Sequence, residues 1–364
     1  MNIQKGSIRI YRIFDVAEEI DLTLAEKILN DSRRDEPFQV PRTIDRALVL
    51  RSTPILLKLP SQNIRTKNYS FEACVSAKIR DYGVITLQYE IPIPKSTDWK
   101  TLVRMAAELE DNTDIDAKSK AHSLEITQML KNAMKDHHSW DVFEDYAIYF
   151  LERFEGLQTA AELKEKADIP ALLLAEENAA LSPLTRNAIL ENIYQYGNND
   201  LAVIEWNSAL VVEPDGKEEV LDLLEISLTH LMEMRYYDDL LDHHLNVLYD
   251  NIEKGKKKKS QRSDYSQLYR DASTRYIEFS EFIERVENSL KVVGDFYLAT
   301  VYRAANKRFR LADWQQNIMR KMNILAQVSA LLQGEVNMRR SHWMELTVIA
   351  LILFEIVSAI LKWH

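Results

Sequence analysis

The sequence has little cysteine, little glycine and no excess of positive charge, and each shortage excludes a class of protein. Cys74 is the only cysteine, so the chain can form neither an internal disulfide framework nor a thiolate metal cluster. The eight glycines are scattered, so neither a nucleotide-hydrolase phosphate loop nor a dinucleotide-binding glycine turn can be written from them. A net charge of −10 argues against a general nucleic-acid binder, because such proteins are usually basic.

Apolar, β-branched and aromatic runs in residues 1–213 predict an α+β N-terminal domain. The strand candidates are Ser7–Val16, Ala47–Leu59, Phe71–Arg80, Gly83–Ile93, Trp140–Phe154 and Leu201–Glu213. The helix candidates between them are Leu22–Leu29, Asp98–Leu109, Ala117–Met134 and Pro183–Tyr196. Asp81-Tyr82-Gly83 predicts a hairpin turn, and Cys74, in a β-rich segment, is expected to be a small core residue.

Residues 214–340 predict an all-helical stalk. A turn cluster, Glu213-Pro214-Asp215-Gly216, precedes an apolar stripe that runs from Val220 to Ile252 at helical spacing. The basic run Lys256, Lys257, Lys258 and Lys259 then predicts a loop. A second helix is expected from Leu268 to Val293, and a third, with coiled-coil spacing, after Asp313.

The end of the chain, RRSHWMELTVIALILFEIVSAILKWH, is apolar on all sides of a helix. From Trp343 to Trp363 it is 21 residues long, or about 31 Å as a helix, which matches a hydrocarbon core of about 30 Å. The tryptophans mark both edges, and Arg339 and Arg340 precede the run. We predict one C-terminal transmembrane helix in residues 341–364, with the preceding chain cytosolic; the alternative is a buried helix of a soluble domain.

Glu355 lies near the centre of this apolar run. A carboxylate at that depth usually faces other protein, and Leu351, Ser358 and Ala359 share its helical face. Two of these neighbours are small and allow another helix to approach closely. We predict that this face joins copies of the chain, with Trp343 and Glu345 at the membrane entry; the alternative is a tolerated polar residue in a single helix.

Several short motifs resemble the family of membrane proteins named for being required for meiotic nuclear division. They are Asp81-Tyr82-Gly83-Val84, the segment from Glu205-Trp206 to Glu213, Arg320–Leu325, and Trp343-Met344-Glu345 followed by LTVIALILF and Glu355-Ile356. The order of Trp343 and Glu345, and the Leu-Asn order upstream, depart from the family pattern, which leaves the helix register open. The resemblance implies an α+β region, a helical middle and a terminal membrane helix. It implies no known reaction.

Two other groups of residues suggest chemistry. Asp239 and His243 lie four residues apart on a predicted helix, so they share a face and could hold a divalent metal with His230 and Glu233. The alternative is a solvated helix face. The run Lys256–Lys259 could contact anionic lipid or RNA phosphates, or form an ordinary solvated turn.

We therefore expect a non-enzymatic, tail-anchored membrane scaffold that self-associates and recruits a cytosolic protein. The role suggested for mitochondrial relatives is to tether the translation machinery at the membrane, and the resemblance implies that role for this protein. Because the N-terminus has no convincing transit peptide, a prokaryotic plasma membrane is expected over the mitochondrial inner membrane. No catalytic residue and no cofactor is assigned. The alternatives are a membrane-anchored enzyme with a metal or small-molecule site, and a module that binds RNA or anionic lipid through the lysine run.

Overall fold

The computed structural model describes residues 1–32, 48–50, 53–156, 159–177, 180–257, 270, 273–281, 283–284, 290–292 and 295–362. The chain divides into two compact units. The first unit contains Met1–Arg235 and Asn288–Ala312, and the second contains Tyr236–Glu287 and Asp313–His364.

The first unit contains the strands and most of the shorter helices. Its strands are β1 (Asn2–Asp15), β2 (Glu19–Ile20), β3 (Leu48–Leu50), β4 (Ile55–Arg65), β5 (Ser70–Ile79), β6 (Val84–Pro92), β7 (Thr97–Asp98), β8 (Met134–Lys135), β9 (Glu144–Glu155), β10 (Ile193–Tyr194), β11 (Leu201–Ile204), β12 (Ser208–Val212) and β13 (Leu290–Val292). Its helices are α1 (Leu22–Ser32), α2 (Trp99–Glu110), α3 (Thr113–Leu130), α4 (Ala160–Lys166), α5 (Ile169–Leu173), α6 (Pro183–Leu190), the first part of α7 (Glu219–Lys257) and α9 (Phe296–Arg308).

Nine of these strands form one sheet. Their order is β10-β11-β12-β9-β1-β6-β5-β4, and β7 pairs with the beginning of β1. Neighbouring strands are antiparallel except for β12 and β9, which are parallel. The long strand β1 lies near the centre, with Tyr11 opposite Gln88 of β6 on one side and Tyr146 of β9 on the other. Because side chains alternate along a strand, the sheet presents two chemically different faces.

One face of the sheet is apolar and carries the main core. Ile8 and Ile10 of β1 and Leu87 and Tyr89 of β6 lie on this face and are buried. Residues of α1, α2, α3 and α5 belong to the same buried cluster. Asp98 caps α2 by accepting a hydrogen bond from the Thr101 backbone N–H, which helps fix where this helix begins.

The opposite face is polar, and the first part of α7 packs on it. Arg9 of β1 contacts Glu218, immediately before α7, with its Nη2 atom 2.7 Å from the carboxylate oxygen. Farther along the helix, Thr229 forms a 2.9 Å hydrogen bond with the hydroxyl of Tyr82. The α+β sheet domain followed by helices agrees with the predicted fold class in its coarse form.

The second unit contains the rest of α7, a helical segment over residues 273–281 (α8) and most of α10 (Leu311–Lys362). Tyr237 of α7 contacts Phe279 of α8, with ring centroids 5.4 Å apart. From α10, Lys321 places its Nζ atom 2.7 Å from carboxylate oxygens of both Asp238 and Asp242. Burial opposes the charge on Lys321, but these two hydrogen bonds outweigh it and raise its pKa.

Several predicted elements of the first unit are divided in the structure. Ala47–Leu59 was predicted to be one strand but contributes to β3, which pairs with β13, and to β4, which pairs with β5. Leu201–Glu213 was predicted to be one strand but forms the hairpin β11–β12, because the Tyr146 hydroxyl donates to the backbone carbonyls of Glu205 and Ser208 and holds the turn. Pro183–Tyr196 was predicted to be one helix. Helix α6 ends at Leu190, and the following residues form β10, which gains backbone pairing with β11.

Three further predictions were wrong in detail. Leu290 was predicted to be helical but lies in β13, which pairs with β3. Cys74 was expected in the core but is exposed, because Ala73 and Val75 point to the covered face of β5. Lys256 and Lys257 were predicted to form a loop but continue α7 to its last turn, whereas Lys258 and Lys259 lie outside the described residues.

Candidate functional site

The C-terminal part of α10 is an apolar helix with no cover from the described part of the chain. The segment Arg340–Ala359 has a mean hydropathy of 1.6, and its most apolar stretch is not buried. Leu351 is 62% exposed and Phe354 is 73% exposed. Large apolar side chains exposed together in this way mark a surface that binds a partner or a membrane.

This segment also has the length of a membrane span. Its 20 residues extend about 30 Å at about 1.5 Å per residue, which matches the hydrocarbon core of a bilayer. It is the one helix among the described residues that is long and apolar enough to cross a membrane. The predicted residue range 341–364 overlaps this segment closely.

The residues predicted to form the contact around Glu355 all lie in the helical part of α10. Leu351, Ser358 and Ala359 are each three or four positions from Glu355 in α10, so they lie on the same face as Glu355. Glu345, near the start of the apolar segment, has a carboxylate oxygen 3.6 Å from Nδ1 of His342. Trp343 lies in the same turn, whereas Trp363 is outside the described residues.

The proposed metal residues occupy two different environments on α7. Asp239 and His243 are exposed and share a helical face. His230 and Glu233 are buried in the first unit. Among the residues that the structure describes, no group of three or more histidine, cysteine, aspartate or glutamate side chains is arranged to hold a metal ion.

Sequence reasoning missed a buried ionic cluster between β5 and α7. Glu225 is fully buried, and its carboxylate oxygens lie 2.5 Å from Nζ of Lys78 and 3.0 Å from Nη2 of Arg80. Burial opposes ionisation of Glu225, but the two cations outweigh it and hold its pKa below the usual range. Alternate basic residues at the end of a strand are the signal that could have suggested an acidic partner.

His230 lies one turn beyond this cluster and is also buried. Its ring centroid is 6.3 Å from that of Tyr82. Burial, together with the positive charge of Arg80, lowers the pKa of His230 to about 3. The imidazole is therefore neutral at physiological pH, which makes it a poor source of positive charge for binding an anion.

Residues 5–219 match the model of the family described as "Uncharacterized protein MJ0711, N-terminal domain". This match covers more than half of the 364 residues. The chain belongs to this family. The MJ0711 domain extends from β1 through β12 and ends where α7 begins, so the family match includes the large sheet but not the apolar end of α10.

A curated relative supports the same assignment. The uncharacterized protein MJ0711 of Methanocaldococcus jannaschii is 23% identical over 235 residues. The aligned region covers 63% of this chain and 70% of the relative.

Proposed function

We propose that this protein is a tail-anchored membrane scaffold, held by Arg340–Ala359 and presenting its MJ0711 domain to the cytosol. The observation that supports the anchor is an apolar helical segment of 20 residues, whose most apolar stretch is not buried by any described part of the chain. In water this surface would be hydrated along its whole length, whereas a bilayer would cover it. Arg339 precedes the segment and Arg340 begins it, and such residues favour the cytosolic side of a span.

Replacing two central leucines by arginine tests the anchor in the full chain. We expect the wild-type protein to remain in membranes washed with alkaline carbonate. The double variant Leu351→Arg/Leu353→Arg should be extracted, because each central arginine costs on the order of 3 kcal/mol in insertion.

The matched control is Leu351→Val/Leu353→Ile, which keeps the segment apolar and should stay in the membrane. Extraction of the wild-type protein by carbonate would contradict the anchor. Retention of the arginine variant would do the same, since it would place the attachment elsewhere.

The exposed Cys74 gives a direct test of orientation, because it is the only cysteine in the sequence. We expect a membrane-impermeant maleimide to label Cys74 in inside-out vesicles and to leave it unlabelled in intact spheroplasts. Cys74→Ser is the control for background labelling. Labelling in intact spheroplasts would contradict a cytosolic MJ0711 domain.

The second part of the proposal is self-association through the face that carries Glu355. Leu351, Ser358 and Ala359 lie on this face, and the small residues allow close helix approach. In detergent we expect Glu355→Leu to lower the mass of the full-length particle. Val357→Leu, on another face of the helix, is the control. An unchanged mass for Glu355→Leu would contradict this contact.

The third part is recruitment of the translation machinery, and it rests on the resemblance to the family required for meiotic nuclear division. We expect ribosomal RNA to copurify with the full chain from cross-linked membranes. The control is a tail-anchored protein with the same purification tag and an unrelated soluble domain. Equal amounts of ribosomal RNA in both samples would contradict recruitment and leave the anchor and self-association as separate questions.

A further inference from the structure

Helix α10 carries an exposed apolar stripe just before its membrane segment. Leu331 is 72% exposed, and Met338, seven residues later, is 53% exposed. Gly334 lies between them and is also exposed. We call these three residues the outer stripe. They are three and four positions apart, so they share one side of the helix, as the contact residues of a coiled coil do.

The outer stripe is separate from the side of α10 that packs within its own chain. Ile318, Met322 and Leu325 of α10 are buried in the second unit. Leu331 comes six residues after Leu325, so it is turned about 120° away from that buried side. A Cβ atom added to Gly334 would meet nothing within 4 Å in the described part of the chain. Glycine weakens the interior of a helix, and the described packing gives no reason for one at this position.

The outer stripe continues into the contact proposed around Glu355. From Leu331 onward, alternating steps of three and four residues lead to Glu355 and Ala359 without a break, and the positions after Met338 are Ser341, Glu345, Val348, Ile352, Glu355 and Ala359. All of them lie in α10, over about 42 Å of helix. A seven-residue repeat sustained over four heptads is typical of helices that wrap around each other.

We propose that the outer stripe binds the outer stripe of a second copy of the chain, so that the contact around Glu355 extends out of the membrane as far as Leu331. This inference rests on the proposed self-association. Two copies anchored by the same segment hold their α10 helices in the same direction and at the same depth, so identical residues face each other. Leu331 and Met338 then cover their counterparts, and Gly334 lets the two helices approach closely.

Disulfide trapping of the full chain in membranes tests the contact. Cys74→Ser removes the only native cysteine, and one cysteine is then introduced at a time. Asn337→Cys is the matched control for Met338→Cys, because Asn337 is also exposed and is turned about 100° from Met338. On mild oxidation, Met338→Cys should give at least about fivefold more disulfide-linked dimer than Asn337→Cys, since a disulfide needs Cβ atoms about 3.5–4.5 Å apart. Leu331→Cys should behave like Met338→Cys.

A charge on the outer stripe gives a second test. Met338→Arg places like charges opposite each other in the parallel pair, so it should lower the dimer yield of Leu331→Cys about fivefold. Asn337→Arg, which adds the same charge beside the stripe, should lower this yield less. Leu331, Asn337 and Met338 are exposed, so their substitutions are expected to leave the fold intact.

Three outcomes would overturn the proposal. Equal dimer yields for Met338→Cys and Asn337→Cys would show random collision in the membrane. A disulfide to a different protein, identified by mass spectrometry, would show another partner. Absence of any disulfide from both Leu331→Cys and Met338→Cys would exclude the contact outside the membrane. If Glu355→Leu still lowered the mass of the particle in that last case, self-association would stand and would be confined to the membrane.

Discussion

Helices α7 and α10 are both long, but they meet their surroundings in opposite ways. In the first unit, α7 carries polar side chains that are buried, namely Glu225, Ser227, Thr229, His230 and Glu233. In the second unit, the end of α10 carries large apolar side chains that are exposed, such as Leu351 and Phe354. Each helix therefore departs from the usual relation between polarity and burial, and in the opposite direction.

The difference shows that available partners decide burial as much as polarity does. Glu225 can be buried because Lys78 and Arg80 contact both of its oxygens, and Ser227 donates to the carbonyl of Leu223 in its own helix. The apolar end of α10 has no such cover within the described chain. A bilayer would cover this surface, which is why we propose a membrane for this helix and not for α7.

Breaking the buried ionic cluster should give the largest effect on stability. Glu225→Leu leaves Lys78 and Arg80 without their shared carboxylate, and we expect a loss of about 3–5 kcal/mol in the free energy of unfolding. The measurement is hydrogen exchange, followed by mass spectrometry, in peptides of β5 and of α7 up to Arg235. The full chain in detergent is the sample.

A triple variant separates the charge from the packing. Lys78→Met/Arg80→Leu/Glu225→Leu removes the carboxylate and both of its cationic partners. We expect this variant to be nearly as stable as the wild type, because no buried charge is left without its partner in the cluster. If Glu225→Leu alone left the exchange rates unchanged, the cluster would not be what holds α7 to the sheet.

The same truncation at a buried and at an exposed leucine compares the two helices directly. Leu228→Ala in α7 should cost about 2–5 kcal/mol, because this side chain is buried and its removal leaves a cavity. Leu353→Ala in α10, an exposed leucine on the side of the helix away from Glu355, should change the unfolding free energy by less than about 0.5 kcal/mol in detergent. Equal losses, measured by local hydrogen exchange, would mean that α10 is covered by protein after all.

Much of the sheet was predictable from local patterns. Runs rich in apolar, β-branched and aromatic residues identified the strands that became β1, β5, β6 and β9, and Asp81-Tyr82-Gly83 identified the turn between β5 and β6. Gly83 has φ of +89°, and a Cβ atom there would lie 1.6 Å from the carbonyl oxygen of Ala17. Glycine is therefore required at this turn, and the glycine in the sequence made the turn predictable.

Other parts depended on contacts between distant residues and left no local signal. Both faces of β11 and β12 are buried, so the hairpin shows no alternation, and its turn at residues 205–207 has no glycine or proline. The apolar C-terminal helix was predictable because all of its residues are contiguous in the sequence.

His230 should make the stability of the first unit depend on pH in a defined direction. Its pKa is about 3 in the folded protein and about 6.5 when unfolded, so below pH 6.5 the unfolded chain binds a proton that the folded chain does not. The free energy of unfolding should therefore fall with decreasing pH, by at most about 1.4 kcal/mol per pH unit from this residue.

The variant His230→Gln isolates this contribution. Between pH 6.5 and 5 its stability should fall less steeply than that of the wild type, measured by urea unfolding in detergent. This window lies above the range in which Glu225 protonates, since the pKa of Glu225 is lowered. Identical slopes for the two proteins would contradict the buried, neutral state of His230.

The ion pairs of Lys321 should give the smallest effect and test the role of burial. Lys321 and Asp238 are partly exposed and Asp242 is exposed, so Lys321→Met should cost at most about 1 kcal/mol, read from exchange in peptides around Asp238 and Lys321. At about 1 M salt this cost should shrink, because screening then acts over about 3 Å. The cost of Glu225→Leu should persist, since its partners are shielded from solvent ions. A salt-sensitive Glu225 would mean that water reaches the cluster, and the contrast between the two helices would then rest on the apolar tail alone.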